Sequence, residues 1–573
     1  MQRCMALWGA ALLARICLAD RLKLEELKEE VLRFLPQATV ERISPQLPRL
    51  DPPPHQSKID HVVVLYMENH PADHFFGCAD LPGFDGIRGH QIPKDPEDPS
   101  QGLINITCGH ALYVCEKGPH YSSFDGKFKK NGNPNKFPYS EQSDNFSAWN
   151  GAEQNATSTT MMGPEQIPVK SSIAANFGVF NRLYTAVPSM SLPNHMFTQT
   201  ATSCGVRANQ VFSACGGKTS YYPMPTLYDS LRLHNVSFGM YVNSTCGLDG
   251  SPCTGEFLDV YLAGVARHQD RFFSQKLFYE QAANGTLPSF SWLAPTWQAS
   301  DHPCQDIAKG ERVLKDIYEA VRAGPGWNRT LLFVAYDDAG GYYDHVVPPF
   351  EGVPADESPC VIPDPLPVCG PAFDFRRLGL RSTAMLISPW VPKGAVFQEP
   401  RKGPTNTSQF ELTSLPATVK SLFNLTFFLT HRDAWAGSFE ELLLDSPRTD
   451  APLHLPEAPP PAAPWTPPPP QAATPQGTAA GADWRGPVPQ HCSSWHGVKE
   501  QECRGPEHAN LKQQRTIGML ADMLDLPRPN VADFSVHQAD EWLAEHWPQW
   551  TRSAEMPRGT FKPDQLPEQT QFV

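Results

Sequence analysis

The stretch His61-Val-Val-Val-Leu-Tyr-Met-Glu-Asn69 indicates the fold most directly, because an unbroken apolar run passes straight into polar residues. Runs of the same kind stand at residues 331–336 and 383–388. Each run is continuous rather than alternating, as in a strand of a parallel sheet that is covered on both faces. Residues 307–321 carry apolar side chains at helical spacing and lead into the second run. The sequence therefore predicts an α/β domain with a central, mostly parallel sheet covered by helices on both faces.

Polar residues follow two of these strands at the point where each strand ends. The first run is followed by Glu68 and Asn69, and the second by Asp337 and Asp338. In open α/β sheets, ligands collect outside the carboxyl ends of the strands. Three carboxylates so close together repel one another unless a cation neutralises them. The pattern therefore indicates a hard metal ion with oxygen ligands. Turn formation is the alternative, since Asp, Asn and Gly are also common turn residues.

The composition is that of a folded, acidic protein. At 573 residues the chain can hold a catalytic domain with appendages, and 40% hydrophobic residues exclude wholesale disorder. The formal net charge of −14 argues against a nucleic-acid partner, which needs a basic face to neutralise phosphates. The same charge disfavours permanent adhesion to anionic membranes and leaves transient contact with neutral lipid open.

Three features predict secretion or delivery to an endomembrane or vacuolar lumen. Residues 1–19 have the basic start, short apolar core and small final residue of a signal peptide, with a short buried helix as the alternative. Twelve cysteines remain after that segment, several closely spaced like Cys108 and Cys115, which favours local disulfides without indicating their connectivity. Nine N-x-[ST] sequons suggest a glycosylated surface. They begin at Asn105, Asn145, Asn155, Asn235, Asn243, Asn284, Asn328, Asn406 and Asn424.

The chain divides by composition into segments. We predict a signal peptide at 1–19, an N-terminal helical segment at 20–57, the α/β domain at 58–445, a Pro-rich linker at 446–485 and a small C-terminal appendage at 486–573. The N-terminal segment holds a short surface helix over 22–35. Eleven prolines lie between Ala451 and Pro475, a composition that cannot pack a core.

Several common catalytic motifs are absent from the sequence. There is no G-x-S-x-G elbow and no H-E-x-x-H zinc motif. Gly217-Lys218-Thr219 lacks the first glycine of a phosphate-binding loop, because Phe212 stands in that position. These absences argue against an α/β-hydrolase lipase, a zincin and a P-loop nucleotide-binding enzyme.

A series of separated motifs resembles the phosphoesterase family that holds bacterial phospholipases C, plant non-specific phospholipases C and a bacterial acid phosphatase. Two of them read Val187-Pro-Ser-Met-Ser-Leu-Pro-Asn194 and Tyr336-Asp-Asp-Ala-Gly-Gly341. Others stand in order at residues 60–77, 201–203, 301–306, 342–345, 387–390, 415–423 and 432–436. The resemblance covers residues 58–445 and implies an alkaline-phosphatase-like fold.

The resemblance also implies roles for individual residues. Glu68, Asn69, Asp337 and Asp338 would hold a divalent metal ion of unknown identity. Ser191 would be the nucleophile, with Ser189 as the alternative, because coordination to a cation can activate a serine hydroxyl near neutral pH. His302 and His120 would bind phosphate or protonate the leaving oxygen. Asp344 and His345 are expected to be structural, with lining of the pocket as the alternative.

The chain departs from the family pattern at five positions. Relatives often carry Glu-His where this chain has Asp338-Ala339, and histidine where it has Gln305 and Leu412, and they usually carry arginine where it has His195. Losing several imidazoles could alter substrate preference, shift the pH optimum or lower the activity.

The resemblance implies a metal-dependent hydrolase that works through a phosphoserine. The predicted reaction is phospholipase C cleavage of phosphatidylcholine-like lipids to diacylglycerol and a phosphorylated headgroup. Two alternatives stay open: an acid phosphatase acting on soluble phosphomonoesters, and a catalytically silent secreted glycoprotein that binds phosphorylated ligands.

Overall fold

The computed structural model describes most of the α/β domain and parts of both flanking regions. The described residues are 10–35, 37–49, 58–93, 100, 102–115, 157–206, 222, 224–243, 259, 262–356, 375–462 and 529. The predicted site residue His120, the sequons at Asn145 and Asn155, and nearly all of the predicted C-terminal appendage lie outside these ranges.

An eight-stranded sheet forms the centre of the domain, and two-stranded pairs lie beside it. The strands are β1 His61–Met67, β2 Gln91–Pro93, β3 Leu103–Asn105, β4 Thr107–Cys108, β5 Thr160–Met161, β6 Gly178–Phe180, β7 Leu183–Tyr184, β8 Phe238–Val242, β9 Phe272–Ser274, β10 Phe290–Ala294, β11 Thr330–Tyr336, β12 Ala384–Ile387, β13 Ala395–Phe397 and β14 Phe410–Glu411. The order across the large sheet is β13-β6-β12-β11-β1-β10-β8-β9. β12 pairs antiparallel with both of its neighbours, whereas the other pairs are parallel. The predicted mostly parallel sheet is confirmed, although the third predicted strand is the one that runs in the reverse direction.

Helices cover the sheet on both faces. They are α1 Ala10–Leu32, α2 Gln37–Ile43, α3 Ala72–Phe76, α4 Pro168–Asn176, α5 Ser191–Thr200, α6 Leu227–Leu233, α7 Ala263–Ala266, α8 Gln275–Asn284, α9 Ile307–Ala323, α10 Ser414–Leu422 and α11 His431–Trp435. α9 packs on α4 and α8, and α5 packs on α6 and α10. Every residue of β11 and β12 is buried. Since successive side chains of a strand point to opposite faces, both faces of these central strands are covered.

The helix predicted at the N-terminus is present and longer than expected. α1 begins at Ala10, inside the predicted signal peptide, and runs without a break to Leu32. Leu27 and Val31 on α1, and Leu35 after it, are buried in the main core. The helix therefore buries one apolar side against the domain while most of its other residues stay exposed or half-buried, as in an amphipathic surface helix. None of the helices among the described residues is long and apolar enough to cross a bilayer.

The beginning of the Pro-rich segment also packs on the domain. Ala451 and Leu455 are buried in the main core. Lys315 on α9 donates to the Leu455 carbonyl at 2.7 Å, and the Ala462 amide donates to Asp306 Oδ2 at 2.8 Å. The expectation that residues 446–485 cannot pack a core is therefore wrong as far as residue 462, because backbone groups and scattered apolar side chains of this segment find partners on α9 and at its N-terminus.

Two disulfides have both cysteines among the described residues, and each joins segments that are far apart in the sequence. Cys78 is bonded to Cys108, and Cys115 is bonded to Cys304. The closely spaced Cys108 and Cys115 are therefore not paired with each other, which corrects the expectation of a local bridge there. The second bridge closes a separation of 189 residues and ties the loop after β10 to the chain that leaves β4.

Candidate active site

The site is built where two neighbouring parallel strands end at the same level. β1 and β11 pair in register from His61 opposite Thr330 to Met67 opposite Tyr336. Glu68 and Asp337 therefore leave the sheet side by side, and the Asp337 amide donates to the Met67 carbonyl at 3.2 Å. Both side chains are buried. The predicted convergence of carboxylates at one sheet edge is thus present in the structure.

The backbone of these two strand ends is arranged around the carboxylate of Asp337. Its Oδ1 accepts hydrogen bonds at 2.8 Å from the amides of Asn69 and of Asp338. Asn69 has a φ of 62°, a left-handed conformation that asparagine tolerates better than most residues. Gly340 also has a positive φ, and a Cβ there would lie 2.3 Å from the Asn69 carbonyl oxygen. Only glycine allows the two turns to approach this closely.

Ser191 is the first residue of α5, and its side chain points into this cluster. The hydroxyl donates to Asp338 Oδ2 at 3.0 Å. Asn69 Oδ1 and Glu68 Oε2 lie 3.4 and 3.5 Å from the same hydroxyl oxygen. A serine hydroxyl has one proton to donate, so it cannot satisfy three acceptors at once. Oxygens of Asp338, Asn69 and Glu68 therefore surround the Ser191 hydroxyl, which can donate its proton to one of them.

His195 completes the cluster from the same helix, one turn after Ser191. Its Nδ1 lies 2.9 Å from Asp259 Oδ1, and its Nε2 lies 3.5 Å from Asp337 Oδ2. The ring also packs edge-on against Tyr66 at a centroid distance of 4.8 Å. Sequence reasoning noted His195 only as a departure from the family. Its spacing of four residues from Ser191 was the signal that would have placed it on the same helix face.

Charges in the cluster shift the pKa values of its members. Burial lowers the pKa of His195, but Asp259 and then Asp337 outweigh it and raise that pKa well above its ordinary value. Burial raises the pKa of Asp337, but His195, the Ser191 hydroxyl and the Asn69 amide bring it below the ordinary value. Both groups therefore tend to be charged in the absence of a cation, and each stabilises the other.

The cluster has the donors that a divalent cation needs. One ligand atom each from Glu68, His195 and Asp337 lies within 4.8 Å of the other two, and all three residues are buried. Asp337 Oδ2 and His195 Nε2 are buried without a hydrogen-bond partner. Buried polar atoms are rarely left this way, and carboxylate and imidazole are ordinary ligands of divalent cations. The predicted metal ligands Glu68, Asn69, Asp337 and Asp338 therefore stand together with Ser191, and the residues fit a cation.

The predicted acid His302 lies on the loop after β10, the strand on the other side of β1. Its ring packs on Trp297 at a centroid distance of 4.1 Å, and its Nδ1 lies 3.2 Å from the Pro303 carbonyl. These contacts orient the imidazole. The structure thus brings His302 to the end of the strand next to β1.

A buried ion-pair network holds the loop that carries His302. Lys170 Nζ lies 3.0 Å from Asp301 Oδ2 and 3.2 Å from Glu311 Oε1. The Tyr336 hydroxyl donates to Asp301 Oδ2 at 2.5 Å. Gly310 leaves room for this carboxylate, because a Cβ there would lie 1.8 Å from Asp301 Oδ1. The network ties α4, α9 and β11 to the residue that precedes His302.

The remaining predicted residues lie elsewhere. Asp344 and His345 belong to a second acidic group with Asp73, but the buried guanidinium of Arg381 lies 2.7 Å from Asp73 Oδ1 and 2.9 Å from Asp344 Oδ1. These residues therefore form a structural network of ion pairs. Ser189 precedes α5, and its amide donates to the Val187 carbonyl at 2.8 Å.

Comparison with known proteins finds a matching family model. The model of the family described as "Phosphoesterase family" matches residues 59–426. The chain belongs to the phosphoesterase family. Phosphoesterase membership makes it a hydrolase of phosphate esters, as the resemblance implied.

Named relatives of this phosphoesterase come from plants and bacteria. It is 36% identical to "Non-specific phospholipase C1" of Arabidopsis thaliana over 434 residues, which is 72% of this chain and 76% of that protein. It is 34% identical to "Non-specific phospholipase C6" of the same plant, over 71% of this chain and 76% of the relative. "Non-hemolytic phospholipase C" of Burkholderia pseudomallei is 23% identical, over 64% of this chain and 55% of that protein.

Similarity of the phosphoesterase to solved structures is weaker. A protein of the alkaline phosphatase superfamily from Vibrio parahaemolyticus aligns with a TM-score of 0.29 and 10% identity, over 65% of this chain and 69% of that one.

Proposed function

We propose that this protein is a phospholipase C that cleaves phosphatidylcholine-like lipids to diacylglycerol and a phosphorylated headgroup, with Ser191 as the nucleophile. The observation that carries the proposal is the Ser191 hydroxyl, held 3.0 Å from Asp338 Oδ2 inside a ring of acidic residues at the strand ends. The relatives named as phospholipases C support the substrate class.

The proposed reaction has two steps, formation of a phosphoserine and its hydrolysis. In the first step the Ser191 hydroxyl loses its proton as its oxygen bonds to phosphorus, the bond from phosphorus to the glycerol oxygen breaks, and that oxygen takes up a proton in exchange. In the second step a water oxygen bonds to phosphorus, the bond from Ser191 to phosphorus breaks, and the serine regains its proton. The net result is hydrolysis of one phosphate ester bond.

The residues of the chain have separate tasks in this scheme. Asp338 orients the Ser191 oxygen through the hydroxyl proton. Glu68, Asn69, Asp337 and Asp338 would hold a divalent cation, which would lower the pKa of the serine hydroxyl and neutralise charge on the phosphoryl oxygens. His302, with His120 as a further candidate outside the described residues, would contact the phosphate or protonate the leaving oxygen.

An assay with two substrates tests the proposal. Purified full-length protein is given phosphatidylcholine vesicles or p-nitrophenyl phosphate, each with and without a chelator. We expect diacylglycerol release that the chelator abolishes, and none from Ser191→Ala. Chelator-sensitive turnover of p-nitrophenyl phosphate alone would favour the acid phosphatase. Absence of turnover on both substrates would favour the alternative that the protein is catalytically silent and binds phosphorylated ligands.

We also propose that the protein resides outside the cytosol or in an endomembrane or vacuolar lumen, touching membranes only transiently while it takes substrate. The sequon asparagines among the described residues are all exposed, and oligosaccharide transfer requires this accessibility; they are Asn105, Asn235, Asn243, Asn284, Asn328, Asn406 and Asn424. Protein from a eukaryotic host should lose mass on deglycosylation and show few free thiols. Twelve reactive thiols in native material would contradict this location.

A further inference from the structure

His195 occupies a place in the site that an all-oxygen metal centre does not require. It lies four residues after Ser191 on α5, so both side chains project from one face of the helix towards the ends of β1 and β11. The imidazole is only 7% exposed. Its Nε2 faces the Asp337 carboxylate oxygen that receives no hydrogen bond.

Asp259 determines which nitrogen of the His195 ring is available to bind a cation. Asp259 Oδ1 lies 2.9 Å from His195 Nδ1, a distance at which Nδ1–H donates to the carboxylate. In the neutral ring the proton then resides on Nδ1, and Nε2 presents a lone pair. A carboxylate that holds one imidazole nitrogen while the other binds a metal is a common arrangement around metal-ligating histidines.

The distances on the other side of the ring favour a ligand over a direct hydrogen bond. The separation of 3.5 Å between Nε2 and Asp337 Oδ2 is too long for a good N–H···O bond. Nitrogen and oxygen ligands of a tetrahedral cation with bonds of about 2.0–2.2 Å stand roughly 3.3–3.6 Å apart. The gap between these two atoms therefore matches two ligands that share one ion.

We propose that His195 Nε2 is a ligand of the cation held by Glu68 and Asp337, with Asp259 orienting the imidazole. The inference rests on the metal-dependent function proposed above and identifies the chemistry of its ion. A site with an imidazole nitrogen suits Zn²⁺ and similar divalent transition metals, whereas Mg²⁺ and Ca²⁺ prefer oxygen ligands alone. The chain therefore selects a borderline cation rather than the hard cation that the strand-end carboxylates predict by themselves.

Metal binding by the full-length protein tests the inference without any enzyme assay. Metal-free protein is titrated calorimetrically with Zn²⁺ and with Mg²⁺, for the wild type, His195→Asn and Asp259→Asn. We expect the wild type to bind Zn²⁺ more tightly than Mg²⁺. Each substitution should weaken Zn²⁺ binding on the order of 10- to 100-fold and leave Mg²⁺ binding nearly unchanged. His454→Asn is the matched control, since that side chain is 79% exposed, and it should bind both ions like the wild type.

X-ray absorption of the Zn²⁺-loaded wild type tests the ligand directly, and its oxygen-only outcome does not depend on any variant folding. The proposal requires imidazole scattering from at least one histidine in the wild type, and its loss in His195→Asn. A first shell of oxygen alone in the wild type would overturn it, and so would unchanged Zn²⁺ affinity in His195→Asn. Metal-dependent hydrolysis by the wild type in that case would leave the proposed function standing, whereas failure to bind any cation would end both.

Discussion

The Ser191 hydroxyl oxygen lies 3.0 Å from Asp338 Oδ2, so the first residue of α5 points directly into the turn that follows β11. The helix and the turn come from segments separated by 147 residues. Their contact places a nucleophile against the acidic ends of two strands. The predictions below test the groups that meet there and the buried framework that holds them.

Ser191→Ala should lower kcat/KM on the order of 10³-fold or more, because the variant lacks the atom that bonds to phosphorus. Ser191→Thr should retain part of the activity, since threonine offers the same hydroxyl. Ser189→Ala is the matched control and should stay within a few-fold of the wild type. Rapid quench with labelled substrate and peptide mapping would locate the trapped phosphate, and a label on Ser189 would end this mechanism.

Asp337→Asn should abolish turnover and weaken cation binding, because it removes a negative charge from the site. The fold should persist, since an asparagine Oδ1 can still accept from the amides of Asn69 and Asp338, which lie 2.8 Å from the present oxygen. Calorimetric titration and a thermal melt measure the two effects separately. The control is Asp80→Asn, whose side chain is 72% exposed. Full activity of Asp337→Asn without any bound metal would mean that the carboxylates serve another purpose.

Lys170→Met should destabilise the protein by roughly 3–5 kcal/mol, because it leaves the carboxylates of Asp301 and Glu311 buried without their cation. The Lys170 side chain is 1% exposed and contacts both acids. Urea unfolding measures the change in the free energy of unfolding. Lys276→Met is the control on an exposed pair and should change that free energy by less than about 1 kcal/mol. Equal changes in the free energy of unfolding for Lys170→Met and Lys276→Met would show that the buried network does not stabilise the fold.

His234 should make the folded state sensitive to acid. Burial lowers the pKa of its imidazole to about 4, below its ordinary value of about 6.5. As the pH falls below 6.5 the unfolded chain binds a proton that the folded chain rejects, so the stability present above pH 6.5 is lost progressively down to pH 4. The full loss is about 3 kcal/mol.

Replacing this histidine removes its share of the pH dependence. His234→Asn should show a smaller fall in the free energy of unfolding between pH 6.5 and pH 4 than the wild type. The exposed control His454→Asn should follow the wild-type curve. Parallel curves for His234→Asn and the wild type would show that the ring, which contacts the Ser230 carbonyl and Thr426, does not titrate as proposed.

Local patterns in the sequence predicted much of the architecture and part of the site. Continuous apolar runs end in Glu68 and Asp337, and the register of β1 with β11 places these residues side by side. The direction of β12 could not be predicted, since a run buried on both faces looks the same in parallel and antiparallel pairing. The Pro-rich composition likewise concealed Leu455, which is buried because α9 offers it a partner.

The sequence by itself determined the mostly parallel sheet and the acidic strand ends, because strand burial and strand termination depend on adjacent residues. The role proposed for Ser191 rests on the family resemblance of residues 187–194. The tertiary structure alone decided that Asp259 meets His195, that Lys170 lies between Asp301 and Glu311, and that Cys115 bonds to Cys304. Each of these contacts joins residues far apart in the chain. Their distances depend on how whole helices and loops pack, which no local pattern encodes.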